Sequence, residues 1–179
     1  MIYVMLAEGF EEIEALAFVD ILRRADIKVE TVSVDNKDTV KGAHGIEVVA
    51  DRKISEIDND GTGIVLPGGI PGTFNLRDNE NVIKLLKEYN ASGKYIAAIC
   101  AAPSVLGGIG ILKSKNATCY PSFEKELIGA NVSEESVVVD GNIITSRGAG
   151  TAHKFALKFV ELVKGSNIAM NLKAGMLYE

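Results

Sequence analysis

The stretch Tyr95–Gly108, YIAAICAAPSVLGG, decides how this chain is read. Tyr95 to Ile99 is an apolar run of strand length, and Pro103 to Leu106 opens a helix, since proline suits a first helical turn. Cys100 stands at the corner between them. Ala98, Ala101 and Ala102 are small enough for a sharp turn there, so the spacing predicts a nucleophile elbow that presents the Cys100 side chain above the sheet. A thiol at a helix amino terminus meets unpaired N–H groups and the positive end of the dipole, which lower its pKa. The other reading of Cys100 is a buried cysteine acting as a small hydrophobe.

Working outward, the same alternation of strand and helix recurs. Ile2 to Leu6 is a continuous apolar run, as in a strand buried on both faces. From Glu11 to Ala25, the residues Ile13, Leu16, Ala17, Val19, Leu22 and Ala25 fall at helical spacing, with Arg23 and Arg24 in the last turn. KVETVSV alternates as a strand, and KDTVKGAHGIEVVAD reads as a short hairpin turning near Gly42 to Gly45. GIVLPGG is another buried strand running into a glycine turn. Asn79 to Tyr89 is helical, capped by Asn79 and ended near Gly93. A short strand near Ala117 to Cys119 and a helix around Phe123 to Ile128 follow. SVVVDGNIITS is a hairpin with an Asp140-Gly141 turn, and Thr151 to Val163 is an amphipathic helix with Phe155, Phe159 and Leu162 on one side. This order predicts an α/β sandwich with a mostly parallel central sheet covered by helices on both faces. Neither a repeat nor a linker interrupts it, so residues 1–179 read as a single domain.

Composition narrows the function classes. At 47% hydrophobic and 24% charged residues the chain has the balance of a soluble globular protein. The net charge of -5, with no Lys/Arg cluster, argues against nucleic acid as a partner. Two cysteines do not make a disulfide scaffold, and no apolar run approaches a membrane span. The start, MIYVMLAEGFEEIE, has no basic region before its apolar run, unlike a signal peptide. A cytosolic enzyme or regulator is the expectation.

In sheets of this kind ligands bind beyond the carboxyl ends of the strands, where AEGFEEIE, LPGGIPG and CAAP all arrive. Gly68 and Gly69 either form only a turn or, with Ala101, offer N–H groups to an oxyanion. Glu11, Glu12 and Glu14 open the first helix, where acids are favourable in any case. Glu14, flanked by Ile13 and Ala17, is the one less easily read as solvated, and burial would raise its pKa. His44 reads as a turn residue and His153 as a helix-start residue. The two lie far apart and neither has ligand spacing to a cysteine, so no metal site is expected. No GxxxxGK[ST] or GxGxxG is present, so no nucleotide cofactor is expected either.

LAEGFEEIEALAFVDILRRADIKV, VLPGG, AAICAAP and TSRGAGTA together closely resemble the ThiJ/PfpI superfamily, in its DJ-one branch, over essentially the whole chain. The resemblance implies a flavodoxin-like α/β sandwich, a homodimer whose interface includes the first helix and the hairpin near His44, and work without a cofactor. It also implies stress defence, with glyoxalase or deglycase-type chemistry on small dicarbonyls such as methylglyoxal or on glycated substrates. Redox sensing through oxidation of the cysteine to a sulfinate, or chaperone function, is the alternative. By the same resemblance Cys100 is the reactive cysteine, Glu14 the glutamate that hydrogen-bonds it, and Gly69 and Ala101 the anion-binding N–H pair. Ser146, Arg147 and Gly148 fall on the family's SRG, and Gly68, Tyr120 and Arg147 are candidates for the pocket. Tyr120 replaces the histidine of a THP-like stretch. With an ordinary pKa near 10 it is a poor base, which disfavours a peptidase.

Overall fold

A computed structural model describes residues 1–57 and 59–178. The chain order is β1 (Ile2–Leu6), α1 (Glu12–Arg24), β2 (Val29–Ser33), the hairpin β3 (Thr39–Lys41) and β4 (Glu47–Val49), and β5 (Arg52–Lys53). There follow β6 (Gly63–Leu66), α2 (Gly72–Asp78), α3 (Glu80–Ala91), β7 (Tyr95–Ile99), α4 (Pro103–Gly108), β8 (Asn116–Ala117) and β9 (Asn131–Val132). The hairpin β10 (Val137–Asp140) and β11 (Ile143–Ser146) leads to α5 (Ala152–Lys164) and α6 (Ser166–Gly175).

Seven strands form the central sheet in the order β10-β11-β7-β6-β1-β2-β5, parallel except for β10. This is a flavodoxin-like α/β sandwich. Strand β1 explains the layering. Its alternate residues Ile2, Val4 and Leu6 join a core with α1 and α5, while Tyr3 and Met5 join a second core with α3 and α4. A continuous apolar run therefore serves two faces, as a strand buried on both sides requires. The first core is locked by Phe18 of α1 against Phe155 and Phe159 of α5, with ring centroids 5.2 Å apart in both pairs. Fully burying such a ring stabilises the fold by about 2 kcal/mol.

The register fixes where the functional loops emerge. Val4 pairs with Val65, Leu66 with Ala98, and Ile99 with Ser146. The carboxyl ends of β1, β6, β7 and β11 therefore finish side by side. The connections leave β1 and β6 in opposite directions along the sheet, which makes this crevice the topological switch point.

Several local expectations need correction. In α1 the buried stripe is Ala15, Phe18, Val19, Ile21 and Leu22, while Ile13 is half exposed, because the helix turns its Ala15–Leu22 side to α5 and the sheet. Phe123 to Ile128 holds only a single 3-10 turn, Glu124–Glu126, since its bonds (Glu126 N to Phe123 O, Leu127 N to Glu124 O) reach back three residues and stop. The strand near Ala117 to Cys119 is the shorter β8. In α5, Leu162 lies at the exposed edge while Phe155, Ala156, Phe159 and Val160 are buried. Helices α2 and α6 and the edge strand β5 have no counterpart in the sequence reading.

Candidate active site

Cys100 follows β7 directly and has a backbone φ of 64°, in the left-handed region that a non-glycine residue adopts only when its surroundings enforce it. Main-chain hydrogen bonds do the enforcing. The Cys100 N–H donates to Ser146 O at 3.0 Å, Tyr120 N–H donates to Cys100 O at 2.8 Å, and Ala102 N–H donates to Ile99 O at 3.1 Å. The elbow is thus held by the neighbouring strand ends, and the side chain stays partly exposed. Helix α4 has six residues, so the elbow rather than a long helix dipole shapes this corner.

Glu14 arrives from the other side of the crevice. It is 1% exposed, and its Oε2 accepts the Gly68 N–H at 2.8 Å. Glu11 caps the helix by accepting the Glu14 N–H at 2.8 Å, which fixes the first turn and the direction of Glu14. The other carboxyl oxygen, Oε1, is buried without a well-formed hydrogen bond, and the Cys100 thiol interacts with this carboxyl. Gly68 must lack a side chain here. A Cβ on it would lie 2.6 Å from the Cys100 Cβ and 2.8 Å from Glu14 Oε2. Gly69 has φ +90°, and its N–H, like that of Ala101, acts on the Cys100 sulfur in favour of the thiolate.

The charges of the pair are coupled. Burial raises Glu14 to about 7, with the charge of Glu11 adding to the rise and hydrogen bonds from Gly68 and Cys100 opposing it. Burial also pushes the Cys100 thiol up to about 12, the Glu14 carboxylate adds to the rise, and the Ala101 and Gly69 N–H groups only partly offset it. The expectation of a thiol pKa lowered by the helix terminus is therefore corrected. While Glu14 is ionised, the thiol keeps its proton. When Glu14 holds the proton, the repulsion is gone and the carboxylic acid can donate to sulfur. The two groups therefore titrate as one coupled unit.

The remaining sequence candidates gather next to this pair. Tyr120 is half exposed, and its ring lies against the backbone of Gly148. With Pro121, Arg147 and the turn that leads into α5, it lines an open cleft of about 370 Å³. Arg147 donates from Nη1 to Glu134 O at 3.1 Å, and Ser146 donates from Oγ to Ser136 O at 2.7 Å, so these two serve the walls of the site. Cys119 is buried, with its thiol pushed up to about 11 mainly by burial. Limiting iodoacetamide at neutral pH is expected to label Cys100 first, because Cys100 is partly exposed at the elbow while Cys119 is buried. Peptide mapping that finds Cys119 labelled equally or first would contradict the assignment.

Sequence reasoning missed one contact at the edge of the site. Glu12 is buried, not solvated, and accepts from the His44 N–H at 2.8 Å and lies 2.9 Å from the His44 Nδ1. Thirty-two positions separate the two, and no local signal joins them.

A flavodoxin-like sandwich with a cysteine elbow facing a buried glutamate places the chain in a defined class of α/β proteins. The profile of the DJ-1/PfpI family matches residues 1–162. The chain is 38% identical to protein dj-1beta of Drosophila melanogaster over 97% of this chain and 95% of that protein. It is 35% identical to the Parkinson disease protein 7 homolog of Danio rerio over 97% and 95%. The solved structure of oxidised DJ-1 from Toxoplasma gondii superposes with a TM-score of 0.95 at 38% identity, covering 99% of this chain and 97% of that one. The chain belongs to the DJ-1/PfpI family.

Proposed function

We propose that this chain is a stress-response enzyme of the cytosol that converts small dicarbonyls such as methylglyoxal to hydroxy acids, with no cofactor. The buried Glu14 carboxyl against the Cys100 thiol carries this reading, because it offers a nucleophile and a proton carrier in one crevice. The sulfur adds to the aldehyde carbon, and the proton of the pair passes to the new oxyanion, giving a hemithioacetal. Gly69 and Ala101 N–H groups support the negative charge during addition. Glu14 then takes the proton from the former aldehyde carbon, the electron pair forms an enediol, and the ketone oxygen is protonated. Glu14 supplies that oxygen with the proton it took, then accepts the hydroxyl proton of the first carbon and delivers it to the second, which leaves a thioester. Water hydrolyses it, releasing lactate and the free thiol, so that methylglyoxal plus water gives lactate with no net oxidation.

The test is lactate formation by pure protein stripped of metals and small molecules. Catalytic turnover supports the proposal, and its absence at saturating methylglyoxal refutes it. A second reading rests on the same two N–H groups, which would also hold a sulfinate on Cys100 and make the chain a redox sensor. It is favoured if peroxide adds two oxygens to Cys100 while turnover is absent. The peptidase reading gains nothing from Tyr120, a poor base.

The protein is proposed to act as a two-fold dimer. Helix α1 and the hairpin β3–β4 expose Ile13, Ile46 and Val49, more apolar surface than one protomer covers. A second copy of the chain is the proposed cover, as the family resemblance implies for the first helix and this hairpin. Light scattering is expected to report about twice the 19.1 kDa of the chain at micromolar concentration. A mass near that of one chain would exclude the dimer.

A further inference from the structure

We infer that the cleft beside Tyr120 is the subsite for the substituent on the ketone carbon, and that it makes the protein prefer dicarbonyls carrying an aromatic ring to methylglyoxal. This rests on the dicarbonyl reading above. Cys100 follows β7, which lies between β6 and β11 in the sheet. Gly69 follows β6, whereas Arg147 to Thr151 follow β11. A dicarbonyl whose aldehyde oxygen lies toward the Gly69 N–H therefore sends its other end toward the cleft.

Tyr120 is tied to the elbow itself. Its N–H donates to Cys100 O at 2.8 Å, which holds the ring at the edge of the reacting pair. The residue is 50% exposed, so an uncovered aromatic surface borders the nucleophile. Gly148 sets the position of the ring, because a Cβ there would lie 3.3 Å from Tyr120 Cδ2 and 3.7 Å from its Cε2.

The polar groups of the wall are already engaged. Arg147 Nη1 donates to Glu134 O at 3.1 Å and stands 3.9 Å from Glu134 Oε2, so its charge is countered. Thr151 Oγ1 donates to Gly148 O at 2.8 Å and accepts the Gly148 N–H at 3.1 Å. Pro121 and Ala149 complete the lining with apolar side chains. A cleft of about 370 Å³ with such walls gains most from a flat apolar substituent, because contact with the Tyr120 ring adds to the surface removed from water. A methyl group covers little of it. Phenylglyoxal plus water gives mandelate by the same bond changes that take methylglyoxal to lactate.

The test compares initial kcat/KM for phenylglyoxal and methylglyoxal, read as mandelate and lactate. The ratio is expected to favour phenylglyoxal about 10-fold or more. Tyr120→Ala should lower that ratio about 10-fold, mainly through KM for phenylglyoxal, and Tyr120→Phe should keep it. A merely structural role for Tyr120 would lower both substrates together and leave the ratio as it was. A second arm measures binding of the two products to the Cys100→Ala protein. Mandelate should bind tighter than lactate there, and adding Tyr120→Ala should remove the difference. The inference is overturned if Tyr120→Ala leaves the ratio at the parent value, or if mandelate and lactate bind alike. Turnover of both aldehydes without preference overturns it alone, whereas turnover of neither refutes the dicarbonyl reading on which it rests.

Discussion

Cys100→Ala is expected to reduce lactate formation from methylglyoxal to the uncatalysed background while leaving the protein folded. The two halves of this expectation come from different parts of the residue. The backbone holds the elbow, through Cys100 N–H to Ser146 O and Tyr120 N–H to Cys100 O, and alanine keeps both bonds. Alanine at φ 64° meets the same steric cost that cysteine already bears, so the substitution adds little strain. The sulfur, by contrast, has no substitute. Cys119 is buried and carries no neighbouring carboxylate in hydrogen-bond contact, and no other nucleophile faces Glu14 among the described residues. Retained turnover in a correctly folded Cys100→Ala protein would remove the covalent mechanism altogether.

The electrostatics of the crevice give Gly68, Glu11 and Gly69 distinct tasks. Gly68 allows a carboxyl and a thiol to approach with no side chain between them, and its N–H anchors the carboxyl. Glu11 sets the helix start and adds negative charge that helps keep a proton on Glu14. Gly69 contributes an N–H to the sulfur. It also sits so close to Gly9 and Glu11 that a Cβ would lie 2.5 Å from Gly9 O and from Glu11 N. Proton retention and sulfur activation are thus separate consequences of three adjoining turns.

What the sequence discloses follows from how local each feature is. The crevice is legible because a parallel sheet sends every strand-to-helix turn to one end, so AEGFEEIE, LPGG and CAAP meet without knowledge of detailed packing. The elbow is legible because proline and three alanines surround Cys100. Helix α2 is not, since its buried residues are Gly72, Thr73 and Leu76 rather than an apolar stripe. Helix α6 buries only Ala169 and leaves Ile168 and Met170 exposed, so its pattern does not distinguish a face. The state of the thiol is illegible for another reason. Its position after a strand argues for a lowered pKa, but the burial that reverses the sign comes from tertiary packing, and the carboxylate that adds to it comes from α1, 86 positions earlier.

Glu14→Gln is expected to lower methylglyoxal turnover about 100-fold or more, the usual scale of general acid–base catalysis, while preserving the site's geometry. The amide can copy both contacts. Its oxygen can accept the Gly68 N–H that Glu14 Oε2 accepts now, and its nitrogen can donate to the Cys100 sulfur. Because glutamine carries no charge, it also removes the repulsion that holds the thiol proton in place. The thiol pKa should therefore fall even as turnover drops, because an amide cannot carry the proton between the two carbons. Glu14→Leu removes the donor as well and should show less thiolate than Glu14→Gln, with turnover equally lost. Tyr120→Phe should have a much smaller effect, since a half-exposed phenol can orient a substrate but is a poor acceptor for its proton. The decisive pattern is the comparison of thiolate with turnover in one protein. If Glu14→Gln raises the thiol pKa further as turnover falls, Glu14 only positions the sulfur. If Tyr120→Phe abolishes turnover while Glu14→Gln retains it, the proton travels through the tyrosine, and the buried carboxyl is not its carrier.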